Sequence, residues 1–187
     1  MDLKTTANPI DSAGPVKQVL ANLFYGWGYN FYRRENQLRA DDLLIRSKLS
    51  ELLGQSRARA QALEAAFRRE HLPAPTRAQP FPDAAAVGAA QALQRAAQQI
   101  EALETTIRNA AVPEMDRIYQ RHRNERAALE RLVEADSALV AAIVGLRDAV
   151  LALPDGAAAT AELPRLLRVE QIRALWTQRE QILAVLQ

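Results

Sequence analysis

The stretch that decides the fold is MDRIYQRHRNERAALERLVEADSALVAAIVGLRDAVLAL, Met115 to Leu153. Within it Met115, Ile118, His122, Glu125, Leu129, Leu132, Asp136, Leu139, Ile143, Leu146, Val150 and Leu153 recur at alternating spacings of three and four. Side chains at those spacings return to one face of an α-helix, so the twelve positions draw a single stripe. A period of seven held over this length is a coiled-coil-like seam, which packs against other helices at shallow angles. Pro113 suits the first position of such a helix, and Pro154-Asp155-Gly156 stops it. The pattern therefore predicts a helix over 113–153.

The flanking sequence repeats the theme. Asp83 is placed to cap a helix over 83–111, in which Leu93, Ile100 and Ile107 are seven apart, as are Ala96, Leu103 and Ala110. Before it, HLPAPTRAQPFPD carries four prolines and must be a connection, because proline lacks the amide donor that a helix needs. A helix is expected over 30–71, with Leu38, Ile45, Leu49, Leu52, Ala60, Leu63 and Phe67 near one stripe. A kink is expected where Gly54 and Ser56 interrupt it. Ser12 can cap a short helix over 12–26, preceded by a polar arm of residues 1–11. After Gly156 a linker of small residues leads to Pro164, which is read as opening a last helix over 163–187. No segment alternates apolar and polar residues between turns, so no strand is expected. The fold class is all-α: an elongated antiparallel bundle of four main helices with a short N-terminal helix, in one domain from residue 12 to 187.

Composition narrows the functions. The chain of 187 residues has a formal net charge of +2, made from 21 Arg and 3 Lys against 22 acidic residues interleaved with them. Nucleic-acid binding draws on a basic stripe, and none is visible, so no nucleic-acid partner is expected. There is no cysteine, which removes disulfides, thiolate metal sites and cysteine nucleophiles. The N-terminus lacks a basic start followed by an apolar run, and no apolar stretch approaches the roughly 20 residues of a membrane span. A cytoplasmic protein with no membrane partner is expected. The preference for arginine over lysine, with abundant alanine, suggests a bacterial source of high GC content.

Catalytic and metal chemistry find little support. A di-iron bundle needs a Glu-x-x-His pair on each of two helices. The two histidines, His71 and His122, both fail that spacing. No phosphate-binding loop and no nucleophile elbow occurs. No cofactor, no metal and no enzymatic activity is expected.

One segment differs from the rest. In FYGWGYNFYRRENQLRADD, Phe24 to Asp42, six aromatic residues fall within nine, and a dense polar run follows. Tryptophan, tyrosine and arginine dominate the energetics of protein interfaces. Trp27, Tyr29, Tyr32, Arg33, Arg34, Arg39 and Asp42 are the candidate recognition residues, with the phenylalanines suited to plugging the end of an alanine-rich core. The expected function is interaction with a protein partner, including a second copy in a homodimer. The alternative is a small-molecule or nucleic-acid-binding domain using the same segment. His122, Glu125 and Asp136 form a polar set on an otherwise apolar seam, and a buried polar group must find a partner. The expected outcome is a layer paired with an arginine; the alternative is a solvent-exposed end of the bundle.

Overall fold

The structure, a computed structural model, describes residues 34–77, 79–111 and 125–186, with side chains for 42–77, 79–111 and 131–184. These residues form five helices: α1 (Arg34–His71), α2 (Ala84–Asn109), α3 (Glu125–Leu151), α4 (Ala157–Leu166) and α5 (Val169–Leu186). No strand occurs among them, and the class is all-α. No described helix is long and apolar enough to cross a membrane.

α1 buries Ile45, Leu49, Leu52, Ala60, Leu63 and Phe67 along the stripe that their spacing predicts. It is one continuous helix through Gly54, as expected over this span. Ser56 Oγ donates to the Leu52 carbonyl at 3.0 Å, so its hydroxyl is satisfied within the helix. The packing on both sides of Gly54 outweighs the roughly 1 kcal/mol helix cost of one glycine. Asp83 caps α2, its carboxylate accepting from the amides of Ala85 at 3.3 Å and Ala86 at 3.1 Å. The predicted seam of α2 is buried at Leu93, Ala96, Ile100, Leu103 and Ile107.

Side-chain bridges fix the direction of the helices. Arg46 reaches the carbonyls of Ala110 and Ala111, Arg57 lies 3.4 Å from Glu101, and Arg68 donates to Gln94 at 3.3 Å. Numbers rise along α1 as they fall along α2, so the two run antiparallel. Arg59 donates to the Leu153 carbonyl at 2.5 Å and pairs with Asp155 at 3.0 Å, joining the middle of α1 to the end of α3. On α3 the stripe Leu132, Asp136, Leu139, Ile143, Leu146 and Val150 is buried, as is Leu153 just past its end.

The C-terminal region departs from expectation. The small-residue segment after Gly156 is itself a helix, and Pro164 lies inside it instead of opening the last one. Alanine has the highest helix propensity, and Ala159 and Leu163 are buried in the main core. Gly156 starts α4 with φ at 95°, a conformation that side chains with a Cβ rarely adopt. α4 ends at Leu166, and α5 begins only at Val169.

The main core draws on all five helices, from Ile45 on α1 to Trp176 on α5. A second, smaller cluster joins Leu132 and Ala135 of α3 to Ile182 and Leu183 of α5. Between the two clusters, one charged residue interrupts each helix: Asp136 on α3 and Arg179 on α5.

Candidate functional site

Asp136 and Arg179 meet in that interruption. Arg179 Nε donates to Asp136 Oδ1 at 2.5 Å, and its Nη1 donates to Asp42 Oδ1 of α1 at 2.7 Å. Arg46, one turn after Asp42, places Nη2 2.9 Å from Asp42 Oδ2. That contact is ionic, because no N–H of Arg46 is aligned with the oxygen. Two aspartates and two arginines from three helices thus form a compensated layer. Arg179 and Asp42 are each 1 % exposed, Arg46 5 % and Asp136 7 %.

Each member sits where its helix would otherwise bury an apolar side chain. Asp42 falls three residues before Ile45, and Arg179 three after Trp176. Arginine is the residue suited to this place, since its planar fork can serve two carboxylates at once. Trp176 lies beneath both cations, with its ring centroid 5.2 Å from Arg179 Cζ and 5.7 Å from Arg46 Cζ. Arg46 also donates to Ala110 and Ala111 at the end of α2, so the layer touches four helices or their ends.

The charges are not equally compensated. Burial pushes the Asp136 carboxyl above its ordinary value of 3.8; the charge and hydrogen bond of Arg179 oppose this, while the nearby Asp42 adds to it. For Arg179, burial favours the neutral form, but Asp136 and Asp42 together outweigh it and raise the pKa. The difference is geometric: Arg179 faces two anions, whereas Asp136 faces one cation and a like charge. A raised folded-state pKa means that Asp136 contributes stability present below pH 3.8 and lost as pH rises through the elevated value. The stability of wild type relative to Asp136→Asn should therefore improve on acidification through that window. Urea unfolding of both proteins at several pH values checks this, and a difference running the other way contradicts it.

The residues named from sequence are distributed as follows. Asp136 is in the layer. Asp42 is also there, which corrects its assignment to an exposed recognition surface: it is buried between Arg46 and Arg179. Arg34 and Arg39 lie in the first turns of α1, and Glu125 opens α3, with side chains outside the described set. Trp27, Tyr29, Tyr32, Arg33 and His122 lie outside the described residues. Sequence reasoning missed Arg46, Trp176 and Arg179. The available signal was Arg179 on the stripe of Ile172, Trp176 and Ile182, an interruption of the same kind as Asp136.

The layer's chemistry is positional. Its carboxylates face cations and are closed from solvent. Among the described residues, no three histidine or carboxylate side chains gather as metal ligands. Buried ion layers of this kind are best attested as devices that set helix register. Compared with known proteins, the chain matches no protein-family model, no curated protein and no solved structure.

Proposed function

We propose that the chain is a non-enzymatic cytoplasmic protein that acts by protein–protein interaction, as a scaffold or adaptor that also associates with itself. The recognition element is the aromatic and arginine segment 24–42, now without Asp42 as a surface residue. The five helices are read as the body of an elongated antiparallel bundle; the short helix expected over 12–26 lies outside the described residues.

The observation that supports this reading is the ion layer. Asp42 is the last residue of the segment and is tied to Arg179 of α5, which also holds Asp136 of α3. The helix leading out of the segment is thereby fixed in position. A binding element attached to a fixed support loses less conformational freedom on association, which favours affinity. The layer also places buried charge where it orients helices.

Sedimentation equilibrium at micromolar concentration tests the proposal. The wild-type chain should sediment above its monomer mass of 20.7 kDa. Combining Tyr29→Ala, Tyr32→Ala, Arg33→Gln and Arg39→Gln should return it to the monomer with little change in melting temperature. A wild-type monomer across that range would remove self-association. An unchanged dimer in the combined variant would remove the segment as its surface.

A further inference from the structure

Beside the ion layer, a groove of about 840 Å³ opens between α1 and α2. Its volume is in the range of small-molecule sites, roughly 300–1,000 Å³. Leu43, Arg46, Ser50 and Gly54 line it along α1, and Glu104 and Arg108 face them from α2. Gly54 borders open space in the groove, since a Cβ built there would meet nothing within 4 Å.

Three polar side chains in this groove are more than nine-tenths buried: Arg46, Ser50 and Glu104, at 5 %, 7 % and 4 % exposure. Each retains one atom with no hydrogen-bond partner among the described residues: Arg46 Nε, Ser50 Oγ and Glu104 Oε2. Leaving such a group unmatched costs about 1–3 kcal/mol, so three in one groove call for a partner. Glu104 has a local remedy. Its Oε1 accepts from Arg108, and Arg57 Nη1 lies 3.5 Å from Oε2 on a side chain about a third exposed and free to adjust.

Arg46 Nε has no such remedy, and the Ser50 hydroxyl does not turn to the carbonyl one turn back as Ser56 does, but leaves Oγ unbonded. The Arg46 Nη atoms are committed to Asp42, Ala110 and Ala111. Its Nε–H can only donate, and the Ser50 hydroxyl one turn later can donate as well. Two donors one turn apart fit one oxyanion. We infer that this groove binds a small oxyanion-bearing molecule, a carboxylate or phosphate ester, with its oxygens on Arg46 Nε and Ser50 Oγ. The ligand's remaining atoms lie along Gly54 towards Leu43 or Arg57.

The test is a nuclear magnetic resonance titration of the full chain with sodium phosphate and, separately, sodium acetate. Ionic strength is held constant with sodium chloride. The signals followed are the arginine Nε–H groups and the backbone amides from Arg46 to Ala58. Saturating shifts centred on Arg46 and Ser50 are expected. Saturation by phosphate alone assigns a phosphate-bearing ligand, and saturation by acetate assigns a carboxylate. Ser50→Ala should weaken binding about tenfold or more, the loss of one hydrogen bond to a charged group. Gly54→Leu should fill the groove and abolish binding while keeping the melting temperature at or above wild type, since leucine favours helix over glycine. Shifts that only track sodium chloride, or saturable binding that survives in both variants, would overturn the assignment.

Discussion

Replacing Arg179 with methionine is expected to lower the stability of the fold by about 3–5 kcal/mol, the usual cost of removing one partner from a buried ion pair. Arg179 is the only cation that bonds to Asp136 among the described residues, and it shares Asp42 with Arg46. Methionine has comparable length and packs well, so the loss comes from charge left unpaired in the core. Asp136 would face that environment alone, and its carboxyl would be driven further towards the protonated form. Adding Asp136→Leu to Arg179→Met removes the stranded anion and leaves Asp42 paired with Arg46. The double variant should recover most of the lost stability. Equilibrium urea unfolding of the three proteins gives the comparison. A single-variant loss under about 1 kcal/mol, the scale of an exposed ion pair, would mean that water reaches the layer.

Trp176→Ala should cost a similar amount, about 3–5 kcal/mol, as expected for truncating a large buried ring. Trp176 is 3 % exposed and closes the main core directly beneath the layer. Its ring also faces two guanidinium groups, a contact worth about 0.5–2 kcal/mol for a cation over an aromatic face. Trp176→Phe should retain much of the stability, because the ring is kept and Trp176 Nε1 has no hydrogen-bond partner to lose among the described residues. A double-mutant cycle between Trp176→Phe and Arg179→Met then reads the coupling between ring and cation. No measurable coupling in that cycle would reduce Trp176 to a packing residue. An alanine variant as stable as wild type would place the ring outside the core.

Stripe spacing made most of the described helices legible in advance. The seams of α2 and α3 are buried where a period of seven places them, because periodicity reports which face of a helix is apolar. Misreadings arose where two local rules competed. Pro164 suits a helix start, yet the alanines before it form a helix whose Ala159 and Leu163 dock in the core. Asp42 follows Asp41 in a dense polar run, which suggests a surface group. Its position three residues before Ile45 marked it equally as a buried one.

By itself the sequence determined the all-α class, the apolar stripes, the aspartate cap of α2 and the fact that some seam positions are polar. Each of these follows from residues close in the chain. Only the tertiary structure decided that Asp42, Asp136 and Arg179, from three helices, satisfy one another over Trp176. An interrupted stripe shows that a charge faces the core, but not which distant charge meets it there. That choice depends on the relative shift of whole helices along their axes, and many shifts bury the apolar stripes almost equally well. Burial of charge removes this freedom: a displacement by one turn would leave Arg179 without its carboxylates, at a cost of several kcal/mol that the apolar contacts alone do not impose.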